Sequence, residues 1–236
     1  MGATEPEYGE TWVYEGIIGA LPGINLGPRA ALAIQFLLFE TAVLLLAWWY
    51  DLWTAAVAGT VAVTVATVGS AELLRIARRV RGEEVPDAYR RLLFGSNVEV
   101  VLSVLAYVAL VTHLFVFDPR YAGTPLVDSL FGAEPPVLVV YLMLLILWDV
   151  CYRIGAGWWA SVLALWRSLR YRFDDRTRGP LRRIDLETAG FGLVQLAFVP
   201  FLLDRPVLLL AVVGHVVAVT VVTGLSLVAL SVRTTR

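Results

Sequence analysis

Seven polar side chains stand inside otherwise apolar runs: Glu40, Glu99, His113, Asp149, Arg153, Gln195 and His215. In a bilayer a central charge costs about 2.5 to 3.5 kcal/mol on insertion scales, so each is a candidate for function. Asp149 and Arg153 are four residues apart, on one face of a helix, with the acid first, which is the favourable order. One reading makes them a structural ion pair that locks the helix into a bundle. A second makes them a gate, or a proton or ion relay, with Glu40 and Gln195 completing the polar core. In a third, Arg153 snorkels to the interface and Asp149 takes another donor.

His113 and His215 are the two histidines of the chain. On neighbouring helices a pair of imidazoles can hold a b-type haem. Zinc would need carboxylate help from Glu40 or Asp149. Glu99 is expected to act structurally by bonding to Asn97 or a serine. The lone cysteine, Cys151, excludes an intrachain disulfide and a cysteine metal cluster.

The elements that must position these groups follow from composition. Of 236 residues, 58% are hydrophobic, and mean hydropathy is +0.73. Soluble domains sit nearer 45–50% apolar. Runs of roughly 20 apolar residues mark membrane-spanning helices and are too long and continuous for barrel strands. The expectation is an all-α polytopic bundle in one domain, residues 28–236, preceded by an acidic interfacial segment, residues 1–27. Six spans are expected near 29–50, 52–76, 92–117, 137–159, 187–203 and 207–232. Span 4 should end near Trp159, because a straight helix to Phe173 exceeds a hydrocarbon core of about 30 Å. Residues 161–173 should then bend along the surface. Pro200 should distort span 5 near its far end.

All 19 basic residues are arginine, which excludes lysine Schiff-base chemistry and a Walker lysine. All-arginine usage with abundant Ala and Val points to a GC-rich, prokaryotic genome. The arginines are unevenly placed. Six lie in residues 75–91, seven in 167–183 and two at the C-terminus, against Arg120 and Arg205 on the other side. By the positive-inside rule both termini are cytoplasmic, in the cell membrane. No stretch matches a signal peptide.

Ala58, Ala62, Ala66 and Ser70 recur every four residues, a ladder of small side chains that admits a close neighbour, either internal or in a second copy. Trp48 and Trp49, and later Trp158 and Trp159, read as interface anchors. Four glutamates among the first 15 residues are complementary to the arginine-rich connections. No catalytic motif of protease, hydrolase, nucleotide-binding or redox type is present, and the chain carries no nucleic-acid-binding domain. The leading functional expectation is a non-catalytic membrane component that packs with partner helices or a second copy. A small ion- or proton-coupled transporter or channel is the alternative, and a di-histidine haem subunit is the third reading.

Overall fold

The computed structural model describes Trp12 and residues 27–232. Among these residues the secondary structure is helical apart from short connections. Helix α1 is Pro28–Tyr50, with proline at its start, where a missing N–H costs nothing. Asp51 ends it in the left-handed region at φ 56°. Helix α2 is Trp53–Gly82, α3 is Asp87–Phe94 and α4 is Val98–Thr112. Asn97, at φ 55°, joins the last two, a conformation that asparagine tolerates better than most residues. Helix α4 passes into a π-turn, His113–Phe117, and then into α5, Asp118–Tyr121. Proline at position 119 cannot donate a backbone bond, and Asp118 N–H instead reaches back to His113 O. Helix α6 is Leu126–Phe131, α7 is Val137–Arg170 and α8 is Asp175–Val194. A 3-10 turn at Gln195–Phe198 leads to α9, Val199–Leu202, as Pro200 leads one to expect. Helix α10, Pro206–Val232, completes the order.

Among the described residues six helical segments are long and apolar enough to cross a membrane. They match the six expected spans in number and order, but their ends extend further. Helix α7 does not bend at Trp159. It runs unbroken for 34 residues, about 51 Å at 1.5 Å per residue. Helix α2 continues beyond Ile76 to Gly82, and α8 begins at Asp175 rather than near Glu187. The span expected at 92–117 divides into α3, α4 and the π-turn. These extensions are held by a core of their own. Ile76, Val80, Tyr89, Leu93, Ala156, Leu163, Leu181 and Ile184 form one buried cluster at the arginine-rich end. Trp12 and Leu230 belong to it too, so the first and last parts of the described chain meet at that end. Trp12 is 1% exposed and meets Phe94 edge-on at 5.3 Å. It is a core residue and does not rest on headgroups. Apart from Trp12 and Gly27, the expected interfacial segment, residues 1–27, with its four glutamates, lies outside the described residues.

Helix α7 is the hub, packing against α1, α2, α4, α8 and α10. Its closest approach is to α4. A Cβ on Gly155 would lie 2.4 Å from Ser103 Oγ and 2.9 Å from Ser103 N. Gly69 on α2 is equally constrained, with Phe191 at 2.6 Å and Arg153 Cβ at 2.8 Å.

Candidate functional site

The seven polar residues do not converge. Asp149 and Arg153 form the i,i+4 pair, with Nη2 to Oδ1 at 2.6 Å. Arg153 is fully buried, and Asp149 keeps 17% side-chain exposure. The second carboxylate oxygen accepts from Gln35 Nε2 on α1 at 2.8 Å. Ser70 Oγ on α2 donates to Gln35 Oε1 at 3.2 Å. Three helices are thus tied through Gln35, Ser70 and the Asp149–Arg153 pair. A void of about 10 Å³ adjoins Gln35 and Asp149, scarcely the room one water needs.

Glu40 does not join this group. Gln35 and Glu40 are five residues apart on α1 and point to different sides of the helix. The Glu40 carboxylate accepts instead from Thr60 Oγ1 on α2 at 2.7 Å. Glu99 is fully buried in the first turn of α4, and neither carboxylate oxygen has a hydrogen-bond partner. The expected bond to Asn97 or a serine is absent; Ser103 Oγ bonds the Glu99 backbone oxygen instead, at 2.5 Å. A helix N-terminus favours an acid at this position.

Gln195, His113 and His215 line a different space, a chamber of about 1210 Å³ at the end opposite the arginines. Helices α1, α2, α4, α6, α7 and α10 and the 3-10 turn contribute its walls, which are largely aliphatic and aromatic. The π-turn begins at His113, and such turns are frequent at functional sites. His215 lies 6.0 Å from the ring of Trp158. Leu114, Val127, Leu202 and Leu208 cluster on the far side of the chamber. Beside them Arg205 Nη1 pairs with Asp118 Oδ1 at 3.2 Å, and its Nη2 donates to Thr124 O at 2.6 Å. Among the described residues no group of three His, Cys, Asp or Glu side chains is placed to hold a metal, so the carboxylate-assisted zinc site does not form.

The small-residue ladder is internal. Ala62 and Ala66 pack with Val43, Ala47, Ile146 and Val150 of α1 and α7, Ser70 bonds Gln35, and Ala58 lines the chamber. Trp48 and Trp49 face outward, 66% and 71% exposed. Trp158 and Trp159 do not. Both are half-buried, and Trp159 Nε1 donates to Leu92 O at 2.9 Å, satisfying a carbonyl at the end of α3.

A second buried ion pair escaped the sequence reading. Arg167 on α7 and Asp185 on α8 are both fully buried and meet at 2.6 Å. Arg167 Nη1 also donates to Tyr89 Oη at 2.7 Å, and its Nη2 to Leu181 O at 3.2 Å. Ser226 Oγ on α10 donates to Asp185 Oδ2 at 2.7 Å, and Ser168 Oγ lies 2.9 Å from Ser226 Oγ. The network joins α3, α7, α8 and α10. Ser226 gave little signal, because α10 also carries Thr220, Thr223 and Ser231, whose hydroxyls bond their own helix backbone. At the start of α8 the Asp174 carboxylate caps the helix, accepting from Thr177 N–H at 2.9 Å. That backbone bond holds the Asp174 carboxyl below the usual carboxylate range.

The chain belongs to a family of unknown function (DUF7530), which it matches over residues 7–226. No curated protein and no solved structure matches it.

Proposed function

We propose that the protein is a non-catalytic multi-pass component of the cell membrane, with its arginine-rich end and both termini in the cytoplasm. The observation that carries this reading is that its intramembrane carboxylate–guanidinium pair closes on itself. Asp149 is held by Arg153 and Gln35, and it is not among the residues that line the chamber. A relay needs a charged group that exchanges partners along a polar path. The void beside Asp149 is about 10 Å³ and bordered mainly by Phe39, Val63, Ala66 and Ile146. The pair therefore serves as a lock between α1, α2 and α7. The orientation rests on the positive-inside rule applied to the arginine-rich connections. The partners are the bilayer and another membrane protein or a second copy, met through the outward faces of α1 and α4. Exposed Leu37, Leu38 and Leu45 on α1, and Val101, Leu105 and Val108 on α4, form those faces.

Reconstitution into liposomes tests the reading. With a proton or sodium gradient imposed, flux is expected to equal that of empty liposomes for both the native protein and Asp149→Asn. A flux that Asp149→Asn abolishes would establish the coupled transporter instead. Labelling of single cysteines placed at Arg178 and at Glu134 in intact cells tests orientation, with only the second expected to react.

A second reading has one specific observation in its favour: His113 and His215 line the same chamber. Two imidazoles across such a space suit bis-histidine haem ligation. The purified protein would then show a Soret band, and its absence after expression with haem supplied sinks this alternative.

A further inference from the structure

The chamber poses a question of filling. Protein interiors pack to crystal-like density, with few voids larger than a water molecule. A space of about 1210 Å³, partly open to the surroundings, is far larger than such a void. It also exceeds the roughly 300–1,000 Å³ of pockets that hold drug-sized ligands. Water is a poor occupant, since each molecule needs two to four polar partners and most of this wall offers none.

The charges around it narrow the choice. Asp118, Asp204 and Arg205 are the charged lining residues; Asp118 opens α5, and Asp204 and Arg205 lie in the turn before α10, all at the far end. Arg205 is already engaged by Asp118 and the Thr124 carbonyl. Deeper in, the polar groups are His113, His215, Gln195 and Thr112, which donate and accept hydrogen bonds without requiring a charged partner. An anionic head would meet two carboxylates and one arginine that is already paired. A neutral carbonyl or hydroxyl would meet imidazole and amide.

The shape narrows it further. Helices α2 and α4 both pack on α7 yet barely touch each other, and Ala58, Gly59, Ala106 and Ala109 line the chamber from these two helices. Small side chains line that side, and the space is partly open to the surroundings. At the far end the space is bounded by Leu114, Val127, Leu202 and Leu208 and by the Asp118–Arg205 pair. A partner helix, about 10–12 Å wide with its side chains, needs a groove open along its length. A flexible chain does not. The described ends of this chain are excluded as well, because Trp12 and Leu230 are packed at the opposite end.

We propose that the chamber is a binding site for a neutral lipid-like molecule. Its long alkyl or isoprenoid chain fills the apolar space, and a carbonyl or hydroxyl head hydrogen-bonds with His113, His215 and Gln195. Three probes test this on the purified full-length protein in detergent: decylubiquinone, monoolein and oleate. The first two are neutral and carry the two head chemistries; the third carries an anionic head on the same chain as monoolein. Saturable thermal stabilisation is expected with at least one neutral probe, with affinity at least tenfold above that for oleate. Ala211 is an exposed residue on the chamber wall, so Ala211→Trp fills the space without displacing packed neighbours. It is expected to weaken binding at least tenfold while the unliganded melting temperature stays within a few degrees. If that variant misfolds, Ala109→Trp blocks the chamber from the α4 wall. His215→Leu should weaken the preferred neutral probe and leave oleate unchanged. The proposal is overturned if no probe saturates, if oleate binds as well as the neutral probes, or if the blocking tryptophan leaves affinity intact. A Soret band, or a co-purified protein whose removal is needed before any probe binds, overturns it as well.

Discussion

At the arginine-rich end, α2, α3, α7, α8 and α10 meet around a continuous apolar cluster with a fully buried Arg167–Asp185 pair beside it. At the opposite end, α2, α7 and α10 border a chamber of about 1210 Å³. One end has surplus charge and no surplus space; the other has surplus space and little free charge. The contrast separates two tasks. The packed end makes its own core, as a soluble domain does. Where a gap between helices faces lipid, acyl chains are as apolar as leucine, so the gap carries no penalty of exposure to water.

The comparison breaks most readily at the buried pair. Asp185→Ala strands a fully buried guanidinium and is expected to cost about 3–5 kcal/mol. Thermal denaturation in detergent measures it, and the double change Arg167→Leu with Asp185→Leu should recover part of the loss. Equal stability of Asp185→Ala and the native protein would show that the packed end is not organised by this network. Next comes Asp149→Asn. Asp149 retains 17% exposure, and an asparagine oxygen still accepts from Arg153, so about 2–3 kcal/mol is expected. Gly155→Ala then probes the contact of α4 with α7. Its Cβ would meet backbone and side chain of Ser103, an overpacking of about 1–3 kcal/mol. Gly224→Ala on α10 meets nothing within 4 Å and should be neutral or stabilising, by up to about 1 kcal/mol. Similar losses for both would remove the argument from close approach.

The smallest effect concerns Asp174, which is fully exposed. Its folded carboxyl is held below the ordinary value by the Thr177 N–H, so it favours folding above the unfolded aspartate value of about 3.9. That contribution fades as pH falls through the depressed folded value. The melting-temperature gap between native protein and Asp174→Ala should be small at pH 6 and shrink further toward pH 3. A gap that widens in acid would contradict the cap.

The six spans were legible because hydropathy over about 20 residues is a strong signal. The extensions were not, because arginines mask an amphipathic stripe. Leu73, Ile76, Ala77 and Val80 recur at i, i+3, i+4 and i+7 and are all buried. Leu181, Ile184, Asp185 and Thr188 repeat that spacing, also buried, but two of the four are polar, and Pro180 beside them imitates a loop. The Asp149–Arg153 contact was legible from its i,i+4 spacing. Its partners Gln35 and Ser70 were not, since the rotation of one helix against another is a property of packing. Glu40, one turn and a half further along α1 than Gln35, illustrates this: both stand in the same apolar run, yet they bond to different residues. The chamber is a vacancy between elements, and no residue type encodes it directly.

Trp12 and Leu230 share one cluster with Tyr89, Ala160 and Leu181. During synthesis Trp12 precedes the other members, and Leu230 follows only when α10 is almost complete. The faces around Phe94 and Val80 are therefore covered in full only once α10 is in place. Completion of that end is a late step of assembly, one that a truncated or stalled chain cannot reach.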